Sequence, residues 1–254
     1  MRGRGDSFAR ASSLYEKPVT PQRTRQMRGL LADSAAETAA LSATTALCEY
    51  LNRWNDAGPA ELERAEAAIA TALHHDPGLF LAHYAKGFLH RSRGQHQEAL
   101  AAFDETIRLA PDFARVYAQK GEQFVYLGEP EKGIAEVEKA IAISPKSSVR
   151  GYFYWVIGRA RFFMGQDAEA IPQLQASVRA WSNVWYNRLY LVSAHAHAEQ
   201  SPAARRVLGA FHGQFRGYTL TQVIENERAT PNEHPFVIAG RDRFHEGLRR
   251  AGMS

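Results

Sequence analysis

Proline returns every 34 residues in the middle of this chain, at Pro77, Pro111 and Pro145, each time closing a helical pattern. The stretches ELERAEAAIATALHHDPGL, QEALAAFDETIRLAPDF and EKGIAEVEKAIAISPKS are amphipathic with helical spacing, and the proline stops each one. With 11 prolines in 254 residues, chance would put one at both later sites with a probability of about 0.002, so the period is genuine. A second helical pattern with a central glycine recurs beside it, in LAHYAKGFLHRSRG, RVYAQKGEQFVYLG and YFYWVIGRARFFMG. Gly87 and Gly121 are 34 residues apart, while Gly158 follows Gly121 by 37; the extra residues fall in SPKSSVRG, a turn-rich stretch where insertion costs little.

Each repeat therefore reads as a pair of antiparallel helices. In the pair around Gly87, that glycine and Ala99 are small residues on opposed helices. They let the axes approach to about 8 Å, with Phe103 filling the adjacent gap. Gly121, Gly133, Val137 and Ala140 repeat the scheme, as do Gly158, Ala170 and Leu174. A glycine in mid-helix costs up to about 1 kcal/mol against alanine, which close packing has to offset. Gly94, Gly128 and Gly165 fall at the turns within the pairs, where positive φ is commonly required. One pair leaves a face uncovered, so at least three must stack before a core is continuous.

These patterns resemble the tetratricopeptide repeat. The unit from Phe80 to Phe113 fits with His83, Gly87, His90, Gly94, Ala99, Phe103, Thr106 and Pro111 in the family's slots, and the unit from Ala114 to Ser147 fits with Tyr117, Gly121, Phe124, Gly128, Gly133, Val137, Ala140 and Pro145. A first unit at about 46–79 lacks the central glycine, a fourth from Gly151 has Ser182 where proline is usual, and a fifth at about 185–217 is degenerate. The resemblance implies an all-α, right-handed α-solenoid of about five hairpins over residues 29–217. A basic tail at 1–28, expected to be disordered, precedes it, and capping helices at 218–254 follow. The order of segments, from NRWNDAG to FHEGLRRAGM, further resembles the tetratricopeptide module that follows catalytic or winged-helix domains in bacterial class III adenylate cyclases and regulators. The roughly 45 residues before the repeats are too few for a cyclase domain, so this second resemblance implies the accessory module and a bacterial, cytoplasmic setting.

Composition narrows the function classes. The chain is 45% hydrophobic and 23% charged, which suits a globular protein with a sizeable core. No apolar stretch approaches the roughly 20 residues needed to cross a bilayer, so no membrane partner is expected. Its net charge of +4 sits in the tail: residues 1–28 carry seven basic residues against Asp6 and Glu16, and the remainder is close to neutral. A basic nucleic-acid face on the folded part is therefore not expected. The single cysteine, Cys48, is at an apolar helical position and reads as a buried structural thiol. His74 with His75, His83 with His90, and His195 with His197 lack the spacing that brings two imidazoles to one ion, and no nucleophile motif frames any serine. The reading is of a non-enzymatic chain with no catalytic residue, no metal and no cofactor.

What remains is an interaction surface. In a stack of hairpins the first helix of each lines the concave side. By the family's slots that lining consists of Leu81, Tyr84, Phe88 and Arg91; Arg115, Glu122, Val125 and Tyr126; Tyr152, Trp155, Arg159 and Phe162; and Tyr186 and Leu189. Tyr, Trp and Arg are the residue types enriched at binding hot spots, so a protein or an extended peptide is the expected partner. The bland alternative is that these aromatics pack against a neighbouring repeat or the C-terminal segment. That segment, YTLTQVIENE followed by PFVIAGRDRFHEGLRRAG, reads as two helices that seal the last hairpin, or alternatively as an amphipathic helix for a partner.

Overall fold

The computed structural model describes residues 35–52, 58–228 and 230–254, so the expected disorder of residues 1–28 lies outside the described residues. Among them are twelve α-helices and no strand: α1 (Ala35–Asn52), α2 (Pro59–His75), α3 (Phe80–Ser92), α4 (His96–Leu109), α5 (Ala114–Tyr126), α6 (Pro130–Ile143), α7 (Arg150–Phe163), α8 (Asp167–Ala180), α9 (Trp185–His197), α10 (Ser201–Gln214), α11 (Leu220–Glu227) and α12 (Pro235–Ala251). The protein is an all-α array of tetratricopeptide-type hairpins, as expected. It divides into two compact units, Met1–Gln123 with Ala229–Pro231 and Phe124–Arg228 with Asn232–Ser254, the division falling within α5. None of the described helices is long and apolar enough to cross a membrane.

In the first unit α1 pairs with α2 and α3 with α4, and α3 also packs on α1 and α2. The described part of the first hairpin starts at Ala35, within the expected solenoid of 29–217 and upstream of the first repeat unit expected at about 46–79. Its helix has no central glycine, and the buried stripe Ala36, Ala40 and Ala43 supplies the small side chains instead. In the second unit α7 pairs with α8 and α9 with α10, while α6 packs on α7 and α8 on α9. Close approach follows the small residues. A Cβ on Gly87 would lie 2.2 Å from the Phe103 ring, and one on Gly158 would lie 2.7 Å from Leu174. Phe103 and Leu174 occupy the same repeat position, so one packing rule serves both units.

The turns inside the hairpins are built alike. Gly94, Gly128 and Gly165 have φ of 72°, 75° and 75°. One residue later a backbone N–H returns to the preceding helix: Gln95 to the His90 carbonyl, Glu129 to Phe124, Gln166 to Arg161 and Gln200 to His195, each at 2.9 Å. Gln95, Gln166 and Gln200 add a side-chain bond to His90, Arg161 and His195 respectively. Between hairpins, His83 Nε2 and the Tyr117 hydroxyl each donate to a carbonyl six residues back, those of Pro77 and Pro111, at 2.9 Å. These histidines are thereby engaged in turn architecture.

Candidate interaction surface

In the first unit the expected lining is packed inward. Tyr84 is fully buried, with Phe88 and Phe113 edge-on at 5.0 and 5.1 Å, and burial pushes its hydroxyl pKa well up. Phe88 is buried too, against Phe103 at 6.1 Å. Arg91 on α3 pairs with Glu122 on α5 at 2.6 Å and also donates to the Gln119 side chain at 3.3 Å. Glu122 is 0% exposed and Arg115 is 8% exposed. An ion pair this deep is worth little relative to an apolar pair, yet removing one partner costs about 3–5 kcal/mol because the other charge is left stranded. The pair joins α3 to α5 across 31 residues of sequence. Beside it, His96 bonds the Gln123 side chain at 3.0 Å and donates to the Pro231 carbonyl at 3.3 Å, and burial pushes its pKa down.

In the second unit five of the expected residues converge. The Arg159 guanidinium lies 4.6 Å from the Tyr126 ring and 4.3 Å from the Trp155 ring, and donates to the Tyr126 hydroxyl at 3.0 Å. Tyr152 stacks on Trp155 at 5.8 Å, and Tyr186 closes the cluster 4.6 Å from Trp155. Phe162 stands apart, against Tyr190 and beneath the Arg243 guanidinium at 4.5 Å. Of the eleven residues carrying the expected contact, Tyr84, Phe88, Arg115, Glu122, Tyr126, Tyr152, Trp155, Arg159 and Phe162 are buried; Arg91 and Tyr186 keep partial exposure.

The C-terminal helix accounts for part of that burial. Rather than stacking after α10 alone, α12 packs across α9 and α7, the first helices of the last two hairpins, and α11 packs on α12. Phe244 stacks on Tyr190 at 4.0 Å with 5° between the rings, and Phe236 meets Phe163 edge-on. A Cβ on Gly240 would fall 2.5 Å from the Phe163 ring, and one on Gly247 2.0 Å from Ser193 Oγ. Polar bonds complete the seat: Arg243 forks onto Asp167, Ser193 Oγ donates to the Phe244 carbonyl at 3.0 Å, and His197 Nε2 donates to the Arg243 carbonyl at 2.8 Å. The sequence pattern marks this segment as helices that seal the last hairpin and, as the alternative, as cover for the lining aromatics, without marking the contact with α7. The glycines seven residues apart were the available signal.

One open cleft lies elsewhere, between α3 and α4. It has a volume of about 450 Å³ and is lined by His83, Lys86, His90, Glu98, Ala101, Ala102 and Glu105. Sequence reasoning did not single it out. Among the described residues, no cluster of three His, Cys, Asp or Glu is placed to hold a metal ion.

Comparison with known proteins agrees with this geometry. Residues 80–113, from the start of α3 to the turn after α4, match the tetratricopeptide repeat family model. Over 119 residues, 47% of the chain, the sequence is 29% identical to the Hsp70-Hsp90 organizing protein of Triticum aestivum; the match spans 20% of that relative. The fold is similar to that of PilW, a widely conserved type IV pilus biogenesis factor, with a TM-score of 0.61 and 18% identity over 83% of this chain and 91% of that one. It is similar also to a thermophilic tetratricopeptide repeat protein of Thermus thermophilus, with a TM-score of 0.58 and 14% identity over 74% and 98% of the two chains.

Proposed function

We propose that this chain is a non-enzymatic protein-interaction module that takes a protein or an extended peptide on the face formed by the first helices of its hairpins. Within one unit Arg91 keeps partial exposure for such a contact and Tyr84, Phe88, Arg115 and Glu122 back it from beneath; within the other Tyr186 keeps partial exposure, backed by Tyr126, Tyr152, Trp155, Arg159 and Phe162. The observation that carries the reading is the aromatic and arginine cluster around Trp155, which reaches partial exposure at Tyr186. Large rigid rings with a forked cation bind at low entropic cost. The repeat match at 80–113 supports it, as does similarity to an Hsp70-Hsp90 organizing protein and to a type IV pilus biogenesis factor. Peptide-display selection on the full chain tests it. Tyr186→Ala, a truncation at a partly exposed position, is expected to weaken the selected peptide about tenfold, the effect of losing an aromatic anchor. Failure of any peptide to bind, or equal binding by the variant, contradicts the reading.

The order of segments from NRWNDAG to FHEGLRRAGM favours a second reading on the same surface: a sensory or regulatory segment of an adenylate cyclase-like protein or transcriptional regulator in a bacterial cytoplasm. A catalytic or DNA-binding domain encoded directly upstream is what that reading expects.

A further inference from the structure

The face that α12 covers in the second unit is made to receive a helix. Two of its polar bonds, from Ser193 and His197, end on backbone carbonyls of α12. Those carbonyls lie in mid-helix, and a carbonyl oxygen has a second lone pair to accept such a bond. Contacts of this kind depend on having a helix there, not on which side chains it carries. The side-chain requirements are few: no room for a Cβ at Gly240 or Gly247, a flat ring at Phe244 for Tyr190, and a cation at Arg243 for Asp167. The described segment between α11 and α12 contains Pro231 and forms no helix, and the helices beneath α12 have hairpin partners of their own, α7 with α8 and α9 with α10. Its outer side is polar at Asp242, Glu246, Arg249 and Arg250, all exposed.

We propose that α12 is an intrachain stand-in for the partner, and that a partner helix patterned small–x3–aromatic–x2–small, with a basic residue just before the aromatic, displaces it from α7 and α9. This rests on the interaction-module reading and names the partner's chemistry. A tethered helix competes at an effective concentration in the millimolar range, and a partner's apparent affinity falls by the fraction of molecules in which α12 is released. Loosening α12 must therefore tighten partner binding.

The test uses the full chain and a labelled synthetic peptide of residues 233–254, followed by fluorescence anisotropy. In the chain, Arg243→Glu sets like charges against Asp167, and Gly247→Leu drives a side chain into Ser193. Both variants are expected to bind the peptide at least tenfold more tightly than the unaltered chain, and a peptide that itself carries Arg243→Glu is expected to lose that binding. Hydrogen exchange on the unaltered chain gives a second measure: α12 amides are expected to exchange at least tenfold faster than those of α7 and α9. Equal peptide binding by all three chains overturns the proposal. So does loss of the whole fold in both variants, or exchange of α12 only together with α7 and α9. If the display-selected peptide binds the unaltered and Arg243→Glu chains equally well, this inference fails while the module reading stands.

Discussion

At the residue scale, the turns show what glycine contributes and where it is missing. Three hairpins place Gly94, Gly128 or Gly165 at the positive-φ position; the fifth places Glu199 there, with φ of 58°. An L-residue in this region costs about 1–2 kcal/mol, part of which glycine returns through its larger unfolded-state entropy. Glu199→Gly is therefore expected to raise the unfolding free energy by about 0.5–1 kcal/mol in urea titration, and an unchanged midpoint would contradict this. The glycines were legible in the sequence because a turn of this kind imposes a local requirement on one residue. Glu199 escaped notice for the same reason: nothing local marks a residue that tolerates strain. The Arg91–Glu122 pair was legible as two residues of one surface but not as a pair, since 31 positions separate them and only packing brings α3 against α5.

At the element scale, hairpin order followed from the 34-residue period, and helix ends followed from proline and glycine. The destination of α12 did not. Its amphipathic side could be read from Phe244 and Leu248, but Asp167 and Arg243 are 76 residues apart and share no local pattern. The types of the lining residues were readable and their covering by the C-terminal segment stood as the alternative, but such separation hides which residues make the contact. The seat of α12 carries a pH dependence. Burial, helped by Arg249, lowers the His245 pKa from 6.5 to about 4, with Asp242 opposing and Arg241 adding to the effect. Burial also lowers that of His197, which faces Arg243. Below pH 6.5 the unfolded chain binds protons that the folded imidazoles refuse, so stability falls as pH drops from about 6.5 towards 4. Replacing His245 with Gln is expected to flatten that slope in urea titrations across the interval; an unchanged slope would count against it.

At the scale of the whole molecule, successive hairpins give a chain many similar helix faces. Function then resides in which face is presented and what covers it. Among the described residues the first helices of the second unit gather most of its aromatic side chains, with Tyr186 partly exposed, whereas exposed positions of second helices are mostly small or charged, as at Glu98, Ala101, Asp104 and Arg108 on α4. This asymmetry makes the first-helix face the binding surface in our account. It is tested most directly by photo-crosslinking a display-selected peptide to full chains that carry p-benzoylphenylalanine at Tyr186 on α9 or at Arg179 on α8. The account predicts crosslinks from position 186 and none above background from position 179; crosslinks from position 179 alone, or equally from both, would contradict it.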